Sequence, residues 1–393
     1  MSSSYETTCC IVGGGPAGAV LALLLSRQCI ATTLLEAHQD FDREFRGDTI
    51  HPSVMEIMDE MGLAERLLQL PHAKIYQITL QTATGPVRIA DFRRLRTRFP
   101  YIMMLPQAQF LEFIVAEAQK YPTFRLLMGT RCEGILEQNG NVSGVRYQSS
   151  KGEGEISALL TVGADGRFSK LRRLSGFEPI KTSPPMDILW FRLPRKPGDP
   201  EGFMGRFVGG RILVLLDRAD YWQLGYVIPK GSYQRLRVQG IEALRKAIVE
   251  ITPEFSDRVS QISDWHDCSL LSVESDRLPR WYREGLILIG DAAHVMSPVG
   301  GVGINYAIQD AVVAANILSG PIRSGRLNLN DLASIQRERE WPTRVIQAFQ
   351  TVIQKRVISS ALSSTEGLKV PFIVRLLLQF PLVRDLPGRF IGL

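Results

Sequence analysis

The 393 residues contain no CxxC pair, no cluster of histidines and no apolar run of membrane-spanning length, and each absence removes a class of protein. The five cysteines (Cys9, Cys10, Cys29, Cys132 and Cys268) are odd in number, and adjacent Cys9 and Cys10 would face opposite sides of a strand. That pattern predicts reduced thiols in a cytoplasmic protein and no metal site. The opening MSSSYETT lacks a basic n-region, so no secretory signal is expected. The apolar stretch Val20–Leu25 is too short to cross a bilayer. Internal repeats and low-complexity tracts are absent. Basic residues exceed acidic ones by only 46 to 40, and the excess is dispersed. The densest basic block, Arg93-Arg94-Leu95-Arg96-Thr97-Arg98, lacks the interleaved aromatics of a nucleic-acid platform, so no nucleic-acid partner is expected. It reads as a solvated loop or a patch for an anionic cofactor. What remains, 45% apolar and 22% charged residues, is a globular composition long enough for two domains.

The first 36 residues carry a dinucleotide fingerprint in its proper setting. A β-rich run Thr7–Val12 leads into Gly13-Gly14-Gly15-Pro16-Ala17-Gly18, and an apolar helix is predicted over Ala19–Arg27. A second strand, Thr32–Leu35, ends at Glu36. In a GxGxxG loop the first glycine permits the tight turn, the second lets a pyrophosphate approach, and the third packs helix on strand. Glu36 follows Gly18 by 18 residues, the position from which an acid reaches adenosine ribose hydroxyls.

The stretch Leu286–Asn305 has a second design of this kind. An apolar strand, Leu286–Ile289, turns at Gly290-Asp291, and a loop with Pro298, Gly301 and Gly303 opens a helix running towards Leu318. Asp291 is placed to accept hydrogen bonds from sugar hydroxyls, and the N–H groups near Gly301–Gly303 to face negative charge. Asp165 ends a third apolar strand, predicted over Ile156–Val162, in Gly163-Ala164-Asp165-Gly166. Arg46 is a candidate contact to cofactor phosphate, the alternative being an exposed arginine. His294, beside Asp291, reads as a structural histidine hydrogen-bonded in its loop rather than a catalytic one.

Between these landmarks the chain predicts a helix over Ser53–Met61, strands from Lys74 to Phe92 and at Tyr101–Leu105, and a helix over Gln107–Gln119. A meander of Phe124–Met128, Arg131–Glu137, Val142–Gln148 and Ile156–Val162 follows. From Ile180 to Ser275, β-like runs (Ile188–Leu193, Ile212–Leu216, Trp222–Ile228) and one helix, Ile241–Ile251, predict a mostly antiparallel sheet domain. Its bulky residues Trp190, Phe191, Phe203, Phe207, Trp222 and Tyr226 divide between core and a lipophilic pocket in a way periodicity does not decide. A long helix is predicted over Asp331–Ser360. The tail 368–393 mixes apolar residues with Lys369, Arg375, Arg384 and Arg389 and is a candidate peripheral membrane contact. The bland alternative is a tail packed on the protein.

Taken together, Gly13-x-Gly15-x-x-Gly18, GADGRFSKLRR from Gly163 and GLILIGDAAH from Gly285 resemble the motif set of class A flavoprotein monooxygenases, the p-hydroxybenzoate hydroxylase-like family. The resemblance covers nearly the whole chain. It implies an α/β fold with a Rossmann-like FAD-binding domain in three segments (1–73, 100–179, 277–367) and a substrate domain in two (74–99, 180–276). It further implies non-covalent FAD, NAD(P)H as donor without a domain of its own, and O2 with a hydrophobic aromatic or quinone-like substrate hydroxylated through a flavin C4a-hydroperoxide. By position, Gly13, Gly15, Ala17, Gly18, Glu36 and Arg46 would hold the adenosine and pyrophosphate side. Asp165 would sit near the pyrophosphate, and Gly290 and Asp291 at the ribityl–pyrophosphate region. Pro298, Gly301, Gly303, Ile304 and Asn305 would lie beside the isoalloxazine, with Gln107 as a further flavin contact. No side-chain acid or base is demanded, and none is named. Flavin-dependent reductases, desaturases and halogenases, and a non-catalytic FAD-binding protein, remain the alternatives. The halogenase WxWxIP element has no full match, the nearest string being WQLGYVIP from Trp222.

Overall fold

The computed structural model describes residues 3–42, 48–199, 202–218 and 220–363. The chain forms two compact units, each assembled from separated segments. The first comprises Met1–Arg43, Pro106–Thr182 and Glu274–Gln347, and the second Glu44–Leu105, Ser183–Val273 and Ala348–Leu393.

In the first unit, β1 (Ser3–Val12) leads through the glycine loop into α1 (Pro16–Arg27) and back to β2 (Thr32–Leu35). Helix α1 starts at Pro16, whose fixed φ suits the first helical position, and carries Arg27 in its last turn. Val20, Leu21, Leu23 and Leu25 are fully buried. Each contributes roughly 1.5–3 kcal/mol by burial, so the helix is held by its surroundings rather than by propensity. Next come α2 (Gln107–Ala118), β3 (Phe124–Leu127), β4 (Gly152–Gly163), α3 (Lys170–Leu174), β5 (Leu286–Leu288), α4 (Gly303–Arg323) and α5 (Leu329–Ile353). The parallel core runs β5-β4-β1-β2-β3. Two antiparallel strands, Asn141–Ser149 and Arg131–Gln138, extend from β4.

One expected pairing is corrected here. Phe124–Leu127 does not open the meander but lies parallel to β2. It follows α2, and a strand reached through a crossover helix enters its sheet in parallel. The meander consists of Arg131–Gln138, Asn141–Ser149 and β4 alone. The long C-terminal helix also differs from its expected single span: it ends at Ile353, continues as a π-helical turn over Gln354–Ile358, and resumes at Ser359–Ser363.

The second unit is built on a seven-stranded sheet ordered Ser269–Leu271, Met186–Pro194, Tyr221–Pro229, Arg211–Asp217, Phe203–Val208, Gln77–Thr82, Gly85–Asp91. Phe203–Val208 and Gln77–Thr82 are parallel, and the other neighbours antiparallel. Leu189, Phe191, Leu193, Trp222, Leu224 and Tyr226 pack with Leu244, Ala247, Ile248 and Ile251 of the helix Ile241–Ile251. By strand alternation, Trp190, Phe203 and Phe207 belong to the opposite face. Trp222 is core: it is fully buried and its indole N–H donates to Asp199 at 2.9 Å. A further helix, Tyr233–Val238, carries no sequence signal strong enough to have been expected. Among the described residues, no helix is long and apolar enough to cross a membrane.

Candidate functional site

The carboxyl ends of the parallel strands stop at one level. Val12 pairs with both Leu35 and Gly163, and Gly163 with Leu288. The ladder then runs one residue further: Gly13 N–H donates to Leu35, Ala164 N–H to Val12, and Ile289 N–H to Gly163, at 2.8, 2.8 and 2.9 Å. Glu36, Asp165 and Asp291 stand one, two and three residues beyond the paired ends Leu35, Gly163 and Leu288, so the sheet brings three acids to one edge. In open α/β sheets that edge is where ligands bind.

The glycine loop divides into closed and open positions. Gly13 has φ +107°, and a Cβ there would lie 2.4 Å from the Ala164 carbonyl oxygen. A Cβ on Gly18 would lie 2.0 Å from the Gly13 oxygen. At Gly15 a Cβ would meet nothing within 4 Å. Two glycines are therefore required by packing, while the middle one borders open space at the uncapped start of α1. This is the cradle a pyrophosphate needs, with first-turn N–H groups facing it.

Glu36 is 7% exposed. Its Oε2 accepts the Gly14 N–H at 2.9 Å, and its Oε1 accepts the His38 N–H at 2.9 Å and contacts His38 Nδ1 at 2.7 Å. Asp165 is engaged differently. It accepts from Ser169 Oγ at 2.5 Å and from the Lys170 and Leu171 N–H groups at 2.7 and 3.1 Å, holding the start of α3. Burial raises its pKa despite those donors.

Asp291 sits in a single 3₁₀ turn, Gly290–Ala292, gripped at both ends. At its start, Gly290 adopts φ +59°, and a Cβ there would lie 3.2 Å from that of Ala17 and 3.3 Å from that of Ala307. Its N–H donates to Asp310 Oδ2 at 2.9 Å. At the far end, the buried Arg172 donates through Nη2 to the Asp291 carbonyl at 2.7 Å and through Nε to that of Ala292 at 2.8 Å. Its Nη1 pairs with Asp276 at 3.0 Å. His294 is held from helix α4 rather than from its own loop: Nε2 lies 2.6 Å from Asp310, and the ring packs on Trp281 with centroids 4.9 Å apart.

The Pro298–Asn305 loop closes on itself. Gly301 N–H donates to the Pro298 carbonyl at 3.0 Å, and Asn305 Nδ2 to that of Gly301 at 3.1 Å. Helix α4 then starts with no side-chain cap, so the first-turn N–H groups of Gly303 and Ile304 lie along a positive helix end. Gln107 is the first, half-buried residue of α2. Arg46 and the tail 368–393 lie outside the described residues.

Arg172, Asp310 and Arg339 were not among the residues singled out from sequence. Arg172 is one of several cations in GRFSKLRR, and nothing local distinguishes it. Asp310 did leave a signal: it is an acid on the face of α4 that buries Ile304, Ala307, Ala311, Ala314 and Leu318.

Against known proteins, residues 6–347 match the FAD binding domain family. The chain is 34% identical over 358 residues to 6-methylpretetramide 4-monooxygenase of Streptomyces rimosus, spanning 90% of this chain and 85% of that protein. It is 25% identical to protoasukamycin 4-monooxygenase of Streptomyces nodosus subsp. asukaensis, spanning 82% of each. Its fold resembles the crystal structure of p-nitrophenol 4-monooxygenase from Pseudomonas putida DLL-E4, with a TM-score of 0.80, 18% identity, and 100% and 99% of the two chains covered.

Proposed function

The chain belongs to the FAD binding domain family, as a class A flavoprotein monooxygenase and hence an FAD-dependent oxidoreductase, and from that premise we propose that it hydroxylates a hydrophobic aromatic or quinone-like small molecule at the expense of NAD(P)H. The observation that carries this reading is the common edge of the parallel sheet, where an open glycine cradle and three acids meet the uncapped helix after Pro298. The relative at 34% identity is itself named as a 4-monooxygenase of 6-methylpretetramide.

The residues fit FAD held non-covalently. Glu36 would take the ribose, Gly15 and the first turn of α1 the pyrophosphate, and Asp291 the ribityl–pyrophosphate region. The Pro298–Asn305 loop would flank the isoalloxazine, with the first-turn N–H groups of α4 opposing negative charge there. Asp165 acts at this edge by anchoring α3, whose Arg172 orients the Asp291 turn. When bound, the flavin supplies the two-electron activation of O2 and delivery of one oxygen atom. We assign the substrate to the second unit and its antiparallel sheet, whose apolar residues keep water out.

The test is mass spectrometry of the product formed under labelled O2 and, separately, in labelled water, using compounds found to stimulate NAD(P)H oxidation. One oxygen atom from O2 is expected. Label from water, or a product differing only by loss of two hydrogens, would assign hydration or desaturation instead.

A further inference from the structure

The buried acid Asp310 has no part in the assignments above, yet it contacts the residue immediately before Asp291. It is fully buried, 20 residues along the chain from Gly290, and reaches the turn from helix α4. Oδ2 accepts the Gly290 N–H at 2.9 Å and contacts His294 Nε2 at 2.6 Å, while Oδ1 accepts from Arg339 Nε of α5 at 2.7 Å. Arg339 is itself fixed, donating to Gln309 at 3.0 Å and lying over the Tyr306 ring. A buried carboxylate is tolerated when cations and donors surround it, and here Arg339 and His294 hold its pKa down to about 2 against the rise that burial causes.

We propose that Asp310 is a positioning residue for the cofactor site: by holding the Gly290 N–H it sets the turn that presents the Asp291 carboxylate. The alternative, a charge pair that only joins α4 to α5, would not require the Gly290 contact. Three features favour the positioning role. Gly290 is buried with a left-handed φ, and Asp310 supplies the partner that its buried N–H needs. Its Cβ position is closed by Ala17 and Ala307, so the turn has no room to relax sideways. Arg172 grips the two carbonyls at the other end, so the turn is held between a buried anion and a buried cation. Losing the anion releases the Gly290 end, one residue before Asp291.

This inference rests on the assignment of Asp291 to FAD, and the experiment separates the two. Asp310→Leu alone strands Arg339 and risks misfolding, so it is paired with Asp310→Leu/Arg339→Gln, which restores neutrality and leaves no side-chain oxygen to accept the Gly290 N–H. Each folded apoprotein, checked by circular dichroism and thermal melting, is titrated with FAD by flavin fluorescence, with the visible absorption band recorded. Asp291→Ala is titrated alongside. For the double variant we expect a native-like melt, FAD affinity weaker by about tenfold or more, and a visible band broadened towards that of free flavin. Double-variant affinity within about twofold of the parent, with Asp291→Ala weakened, would make Asp310 a helix-joining residue and overturn the proposal. Unchanged affinity in Asp291→Ala would overturn the assignment of Asp291 and, with it, this inference.

Discussion

The Glu36 carboxylate accepts the Gly14 N–H at 2.9 Å, so the acid ending the second strand is bonded to the glycine loop ending the first. The same side chain therefore shapes the loop and offers an acceptor at the ribose position. Glu36→Ala removes both and is expected to weaken FAD binding by about tenfold or more, a loss typical of a charged hydrogen-bonding partner. Fluorescence titration of apoprotein checks it, and affinity equal to the parent's would take Glu36 out of the site.

The three fingerprint glycines should respond differently to alanine. At Gly13 and Gly18 the new Cβ would collide with backbone, at 2.4 and 2.0 Å, and at Gly13 φ is unfavourable as well. Both substitutions should lower the melting temperature of the apoprotein. At Gly15, with φ −72° and no atom within 4 Å, the apoprotein should melt as the parent does while FAD binding is largely lost. Melting curves and FAD titration of the three variants decide this. Retained FAD affinity in Gly15→Ala would mean that the pyrophosphate lies elsewhere.

What was legible in the sequence was local. Glycine spacing, an acid at a strand end and a Pro–Gly loop before a helix are set by neighbours within a few residues, so Gly13–Glu36 and Pro298–Asn305 could be read directly. Contacts that bridge distant segments could not. Arg172 reaches Asp291 across 119 residues, and its neighbours Arg167 and Arg173 are cations of equal promise. The mispairing of Phe124–Leu127 has the same origin: a strand's hydrophobic pattern reports its burial, not which neighbour it joins. Strand alternation did divide the aromatics of the second unit, but only once the helix Ile241–Ile251 identified the covered face.

Acid stability should depend on Asp310. Its pKa is lowered to about 2 from an ordinary 3.8, with Arg339 and His294 outweighing burial. A lowered carboxylate stabilises the fold fully above its ordinary pKa, and that stability is lost as pH falls through the lowered value. The parent should therefore exceed Asp310→Asn in stability at pH 6, with the gap closing between about pH 4 and 2. Asp165, raised by burial, acts in the opposite sense and does not produce this acid loss. Chemical denaturation of both apoproteins across this range is the measurement. A gap independent of pH would exclude the charge of Asp310 as its source.

Thiol labelling should report the burial of the first strand. Desolvation pushes Cys9, Cys132 and Cys268 up to about 12 and raises Cys10 well above its ordinary value, so all four remain neutral thiols at pH 8. Cys29 is exposed. A disulfide reagent should modify one thiol per native chain rapidly, and the remaining four only on denaturation. Rapid reaction of a second thiol in the native protein would contradict the packing of β1 or of its neighbours.

The face of the antiparallel sheet opposite the helix Ile241–Ile251 offers the sharpest test of where the substrate lies. Trp190 stands opposite Gly225 in register, and a Cβ on Gly225 would come within 2.8 Å of the Trp190 ring and 3.1 Å of Ile188. Gly225→Ala must therefore lift the indole from its place on this face, leaving Leu189 and Phe191 on the covered face undisturbed. The glycine edge that we assign to FAD belongs to the other unit. If this face receives the substrate, KM should rise by about tenfold, equivalent to roughly 1.4 kcal/mol of lost contact, with FAD affinity unchanged. If the face is only packing, the variant should melt lower while KM stays as in the parent. Steady-state kinetics, a melt and an FAD titration on one preparation separate these results. A fall in FAD affinity with KM unmoved would be the most damaging outcome, since it would place the cofactor, rather than the substrate, against Trp190.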